Sequence, residues 1–449
     1  MRDASGVPSV GCVTIPAPAS GPTATTPTST ASTPAASRVR AIAPDLARGL
    51  MLLMIALANM PFHLYGRDVA MSSMHFDGGD LGDRIWQAIA IIAIDGRSYP
   101  LFAFLFGYGM WQLYRRQLAA GATSLEARRL LRRRHWWMLA FGAVHAALLW
   151  GGDIIGAYGL VGLLVGWLFV ERRDRTIVIW ASVLGGLLAL GALAWMAMGL
   201  VATLFGVTDL GDVSLPAVAG IDSYLASILA RLGMWAPVTF VQGVFGLAVP
   251  VAILLAILAA RHGMLEEPER HRALLAKVAV GGIAIAWSAG ILAFLEHVDV
   301  IPVMPTTFWM LHTAAGVAGG LGYAALFGLV AARLAQRPLG PVSKALTAVG
   351  KRSMTSYLLQ SVLFAPVLSA WGLGLGGVLT EWQGALYALG VWLVTVAVAV
   401  ALDAAGRRGP AETLLRRLAY PRDAKAQPTA MRDAAAPSAS SAPVPTVRG

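Results

Sequence analysis

IVIWASVLGGLLALGALAWMAMGLVATLF, residues 177–205, contains no charged side chain. A hydrocarbon core about 30 Å thick is crossed by about 20 helical residues, so this run is long enough to cross a bilayer with room to tilt. Nine further runs read the same way: 44–64, 85–114, 135–150, 154–170, 233–260, 273–295, 307–332, 353–373 and 384–402. The expected fold class is all-α, a polytopic transmembrane helical bundle of about ten spans occupying residues 38–420. The protein's partner is then the lipid bilayer itself.

Composition agrees. Hydrophobic residues make up 57% and charged residues 13% of 449 positions, against roughly 25% charged in ordinary soluble domains. The formal charge of +11 does not point to nucleic acid, because the basic residues form short clusters between apolar runs and not one binding face. Loops 115–134, 171–176, 261–272 and 333–352 hold 18 Lys and Arg, while the alternate loops 65–84, 151–153, 206–232, 296–306 and 374–383 hold 3. The positive-inside rule makes the first set cytoplasmic. An even number of spans then puts both termini in the cytoplasm, and Trp136, Trp137, Trp150 and Trp382 fall at the expected interfaces. Residues 1–37 and 421–449, rich in Ala, Pro, Ser and Thr, read as disordered tails. Cys12, the single cysteine, lies in the first tail and excludes an intrachain disulfide or a thiolate metal centre.

The second run is irregular. Thirty helical residues extend about 45 Å, and Asp95-Gly96-Arg97-Ser98-Tyr99-Pro100 interrupts them. Such a break is tolerated only where protein or a cavity covers the freed backbone groups, which makes it a candidate site wall.

Ionisable groups inside spans are costly and therefore candidate functional residues. Asp45 and Arg48 open the first span, and Asn59 follows eleven residues after the arginine. These two charges fit either an interfacial ion pair or a binding role. Asp95 and Arg97 sit at the break, where Arg97 is either a plug paired with Asp95 or a functional cation. His145 lies among Gly142, Ala143, Ala146 and Ala147, which suits either a packed interhelical histidine or a base. Asp153 is its partner or a helix cap. His63 and His75 fall at or beyond a span end, where solvation is the simpler reading. Ser353, Thr355, Ser356, Tyr357 and Gln360 cap the ninth span or line an entrance, and Gln242 and His312 are weaker versions of the same case. Seven arginines between Arg115 and Arg134, Arg132 and Arg133 among them, carry the topology signal and also suit anionic lipid or a cofactor's phosphates. No phosphate loop, zinc motif or nucleophile elbow occurs.

Several segments together resemble the YeiB-like family of bacterial inner-membrane proteins, whose C-terminal half is a domain of unknown function. They are Arg40-x4-Asp45-x2-Arg48-Gly49 with Asn59, Gly96-Arg97-Ser98-Tyr99-Pro100 followed by Phe104-Leu105-Phe106-Gly107, and His145 with Trp150 and Asp153. The late stretch Gly350-Lys351-Arg352-Ser353 through Gln360-Ser361, and Gly409-Pro410 with Glu412, complete them. The resemblance covers residues 38–422 and groups the chain with membrane acyltransferases of the heparan-glucosaminide acetyltransferase type. It implies an N-terminal acyltransferase-like part, 38–205, and a C-terminal part, 233–420. The position at which that group carries its catalytic histidine is Ala70 here, which leaves His145 as the candidate base.

The resulting expectation is transfer of an acyl group from cytoplasmic acyl-coenzyme A, as co-substrate, to an envelope glycan or lipid acceptor at the outer face. His145, Asp153, Asn59 and Arg97 would do the chemistry, and Arg48, Arg132, Arg133, Ser356, Tyr357 and Gln360 would hold the donor. No metal is expected. A transporter or exporter of a small anionic solute and a non-catalytic envelope factor are the rival readings.

Overall fold

A computed structural model describes residues 34–208, 217–336 and 338–420. Most of the expected tails therefore lie outside the described residues, although the first helix already begins at Pro34, inside the expected leader. The described residues are helical and contain no β-strand, only an isolated bridge between Val69 and Phe76. Among them, seven helical segments are long and apolar enough to cross a membrane: Ile42–His63, Leu81–Ala119, Asp174–Leu204, Tyr224–Phe245, Arg272–His297, Trp309–Ala335 and Glu381–Ala404. Shorter apolar helices cover Ile154–Phe169, Ala248–Arg261 and Ser353–Leu368. Large apolar side chains such as Leu190, Val280 and Leu393 are more than half exposed along these helices, far more apolar surface than a soluble monomer shows to water. The chain is an integral membrane protein.

In chain order the helices are α1 (Pro34–Asn59), α2 (Leu81–Ile89), α3 (Ser98–Ala119), α4 (Ser124–Leu148), α5 (Ile154–Phe169), α6 (Asp174–Leu204) and α7 (Tyr224–Pro237). They continue as α8 (Ala248–Arg261), α9 (Arg272–His297), α10 (Trp309–Ala335), α11 (Pro341–Lys351), α12 (Ser353–Leu368), α13 (Glu381–Ala404) and α14 (Pro410–Ala419). The stretch 115–134 is largely not a loop. α3 runs on to Ala119, and α4 starts at Ser124 behind a capping box in which Thr123 and Glu126 satisfy each other's backbone amides. Most of its arginines are therefore helical.

Two crossings are discontinuous. After α2 a wide π-helical turn, Ala90–Ile94, leads to the break at Asp95–Arg97, where Gly96 takes a left-handed φ of +71°. Pro100 stands in the first turn of α3, where a missing N–H costs little, so the break precedes it. The run 233–260, read as one span, is also broken. α7 passes through a π-helical segment, Val238–Phe245, to a kink at Gly246 and Leu247, the latter with φ +60°. An all-apolar sequence hides such a kink.

Loops gather at two ends. At one, Arg115 pairs with Glu266, Arg128 with Glu171, Arg261 with Asp174 and Arg352 with Asp403. At the other, Tyr65 donates to Gly374, Tyr224 to Leu148 and Ser73 meets His297. Three of these pairs tie the arginine-bearing stretches 115–134, 171–176 and 261–272 to one another. Trp150 departs from the interfacial pattern, because it is buried.

Candidate functional site

α4 and α5 form a close hairpin. A Cβ on Gly142 would overlap the backbone of Gly156 and the carboxylate of Asp153, and one on Gly159 would strike the backbone of His135 and Leu139. Glycine here lets the two backbones approach. α5 has 16 residues, about 24 Å, and runs from the turn at Asp153 to the arginine-rich end, where it stops close to Asp174. The turn 149–153 therefore ends within the bundle, short of a full crossing of about 30 Å. Arg231 of α7 donates to the Ala147 carbonyl above it.

That turn brings His145 and Asp153 together. His145 Nδ1 lies 2.7 Å from Asp153 Oδ1, and Asp153 Oδ2 accepts from the Gly156 amide at 2.8 Å. The aspartate is thus both helix cap and histidine partner, uniting the two readings left open by sequence. A carboxylate can only accept, so Nδ1 carries a proton, which leaves Nε2 as the ring nitrogen free to exchange one. Nε2 is buried and has no hydrogen-bond partner. The Tyr357 ring meets the His145 ring edge-on at 5.4 Å between centroids. Its hydroxyl, beside the Ile154 amide, makes no well-formed hydrogen bond. His63 stacks on Trp150 at 4.3 Å and abuts Phe364 at 5.3 Å. His63 is 2% exposed and His75 1%, which corrects the expectation that both are solvated.

Arg97 belongs elsewhere. Its side chain is wholly buried between α9 and α10, in room left by Gly290 and Gly319. The guanidinium donates to the carbonyls of Ile91, Asp95 and Ala286 and contacts His312. It closes the broken helix, but the expected partnership with the Asp95 carboxylate is not made. That carboxylate binds His75 Nε2 at 2.8 Å, while His75 Nδ1 meets Glu381 at 2.9 Å. Glu381 also accepts from the Phe76 amide at 2.6 Å. The loop 64–80 is pinned by this three-residue cluster, which sequence reading missed because its members are 20 and 306 positions apart. Among the described residues the partners of Arg97 (Ile91, Asp95, Ala286 and His312) and those of His145 (Asp153 and Tyr357) do not overlap, so a joint oxyanion role is not what the geometry assembles.

The remaining candidates divide. Arg48 pairs with Asp45 at 3.2 Å and reaches the Leu105 carbonyl at 3.4 Å. Gln360 is committed to the Leu52 carbonyl, and Ser356 is buried. Asn59 is half-buried at the end of α1, four residues before His63. Arg132 and Arg133 are exposed at the arginine-rich end, and Gln242 is exposed on the π-helical segment. No cluster of metal-ligating side chains occurs among the described residues.

Comparison with known proteins agrees with the YeiB-like part of the resemblance and does not show the acyltransferase grouping. Residues 259–422 match the family described as Protein of unknown function (DUF418). The chain is 25% identical over 394 residues to the uncharacterised protein YxaH of Bacillus subtilis (strain 168), covering 84% of this chain and 93% of that protein. It is 27% identical over 162 residues to the uncharacterised protein YeiB of Escherichia coli (strain K12), covering 34% of this chain and 39% of the relative. A 39.9 kDa uncharacterised protein of Bacillus acidopullulyticus is 30% identical over 121 residues, 27% of this chain and 32% of its own length.

Proposed function

We infer, for an integral membrane protein that matches the DUF418 family over residues 259–422 and resembles the uncharacterised bacterial proteins YxaH and YeiB, a membrane acyltransferase in which His145 is the general base. The observation that carries this reading is the buried Nε2 of His145, unpartnered while Asp153 holds Nδ1. A buried polar atom left without a partner asks for a reason, and a histidine oriented by a carboxylate is the usual form of a proton-transfer group.

The step is proton transfer coupled to acyl exchange. The acceptor's O–H or N–H loses its proton to Nε2 as the oxygen or nitrogen bonds to the thioester carbonyl carbon. The carbon–sulfur bond then breaks, and the thiolate takes that proton back as a free thiol. The Tyr357 hydroxyl, and the Asn59 amide if it turns toward the ring, are the neutral donors available to the oxyanion. Acyl-coenzyme A is the donor the resemblance implies. With the arginine-rich end in the cytoplasm of a bacterial inner membrane, the donor enters from inside, and a glycan or lipid acceptor meets it from the outer side of the hairpin turn.

The test uses the full chain in nanodiscs with radiolabelled acetyl-coenzyme A and envelope lipid and glycan fractions. Label should move to one fraction with equimolar release of thiol, and His145→Ala should stop both while the protein stays inserted. A fully active His145→Ala variant would remove the role. The two discontinuous crossings, α2–α3 and α7–α8, support a second reading as a carrier of a small anion. Uptake of an anion into vesicles with no acyl transfer would favour it.

A further inference from the structure

A groove of about 380 Å³ runs between α1, α2 and α13, on elements other than the α4–α5 hairpin. Its walls are apolar, with Leu57 of α1, Ile85 and Ile89 of α2, and Leu386 and Leu389 of α13 among them. Ile85, Ile89 and Leu386 are exposed, so in a membrane-spanning bundle the groove opens to hydrocarbon. α2 and α13 start side by side, because the Trp382 amide donates to Asp83 at 3.1 Å. From Gly82 to Ile89 and from Trp382 to Leu389 the walls descend seven residues, about 10 Å. The mean cross-section is then about 38 Å². A helix about 10–12 Å across fills about 80–110 Å², so the groove is too narrow to seat a further helix or a second copy. It has the width for a hydrocarbon chain.

The head of the groove is polar. Gly82 has no Cβ, and the point where one would sit lies 3.0 Å from Trp382 Nε1 and 3.1 Å from Asp80 Oδ1. An indole N–H and a carboxylate thus border one notch, at a tryptophan placed where indole rings settle between lipid and water. Asp80 is exposed and caps α2 by accepting the Asp83 amide at Oδ1, which leaves its second oxygen open to another donor. Arg67, also exposed, stands 3.7 Å from Asp83 Oδ2 and lies over the Phe76 ring at 5.4 Å. Residues 65–84 carry Asp68, Asp77, Asp80 and Asp83 against Arg67 and Arg84, a surround that disfavours a net negative headgroup.

We propose that this groove binds one membrane phospholipid with a primary-ammonium headgroup, of the phosphatidylethanolamine class. One acyl chain lies along Leu57, Ile85 and Leu386. The phosphate takes the Trp382 N–H and the Arg67 guanidinium, and the ammonium donates to Asp80. Headgroup chemistry decides among lipids. A choline headgroup has no N–H to give Asp80, and phosphatidylglycerol brings a negative charge with no cation to offset it beside the aspartates. The site stands independently of the acyl-transfer reading.

Native mass spectrometry of the full chain in detergent tests the preference, with phosphatidylethanolamine, phosphatidylglycerol and phosphatidylcholine of identical acyl chains titrated in turn. One phosphatidylethanolamine should be retained at a concentration about fivefold or more below that needed for the other two. Asp80→Asn keeps the helix cap, since asparagine also caps, and should bring the ethanolamine and choline lipids to equal retention. Asp77→Asn removes the same charge from the same loop at a residue that does not line the groove, and should leave the preference unchanged. A phosphatidylethanolamine with a diazirine in its acyl chain should label peptides from 81–89 or 381–404. Equal retention of the three lipids by wild type overturns the site, as does a preference that survives Asp80→Asn or is lost equally in Asp77→Asn. Label confined to other helices, or a dimer whose formation displaces the bound lipid, overturns it too.

Discussion

Gly142 of α4 leaves open the space that the Asp153 carboxylate enters, because a Cβ at that position would overlap it. The histidine–aspartate pair is therefore built on a missing methyl group. Gly142→Ala should force the hairpin apart, costing about 1–3 kcal/mol as overpacking does, and should abolish acyl transfer. Gly186→Ala is the control, since a Cβ at Gly186 of α6 meets nothing within 4 Å. That change should leave the melting temperature unchanged or raise it, as Ala for Gly does inside a helix. Paired melts in detergent decide the matter, and a Gly142→Ala protein as stable and active as wild type would refute it.

Asp153→Asn separates cap from partner. An asparagine oxygen still accepts from the Gly156 amide, so the start of α5 should survive. Its amide then faces Nδ1 as a donor, which moves the ring proton to Nε2 and removes the base. Acyl transfer should fall by about 10²–10⁴-fold with little change in melting temperature. Activity within threefold of wild type would mean that Asp153 only caps the helix.

How much of this was legible depended on sequence distance. Each of the ten apolar runs overlaps a helix, and seven described segments are long and apolar enough to cross a membrane, because bilayer thickness and backbone hydrogen bonding leave little choice. His145 and Asp153 could be paired from sequence, since eight residues containing a short turn return the chain to itself. Arg97 could be marked as costly but not assigned, because the carbonyl and the ring that receive it come from Ala286 and His312, 189 and 215 positions away.

Arg97 is a structural cation by this account, and its variants should report folding. Arg97→Met leaves the carbonyls of Ile91, Asp95 and Ala286 without their donor, at about 1–3 kcal/mol for each group left unsatisfied. The protein should fail to accumulate in membranes. Asp95→Asn should be much milder for this contact, since Arg97 bonds the Asp95 backbone carbonyl and not its carboxylate. Expression of both variants, read by in-gel fluorescence of a fused reporter, tests the contrast. Normal accumulation of Arg97→Met would return Arg97 to the list of functional cations.

The His75 cluster predicts a pH dependence of stability. Burial by itself would lower the His75 pKa, but the hydrogen bonds to Asp95 and Glu381 outweigh it and push the ring up to about 10. The surrounding charges are those two carboxylates, with His297 at 6.2 Å between ring centroids and Asp77 and Arg84 around it. In the unfolded chain the ring titrates near its ordinary value of about 6.5. A folded pKa above the unfolded one means that the folded state binds more protons between the two values. This stabilisation is complete below pH about 6.5 and is lost as pH rises through about 10. Melting temperatures in detergent should therefore fall between pH 6 and pH 9.5 in the wild type. His75→Gln should start lower and lose most of that slope, because glutamine neither gains nor releases a proton. A slope of equal size in both proteins would place the pH sensitivity in another group and leave the loop pinned by neutral hydrogen bonds.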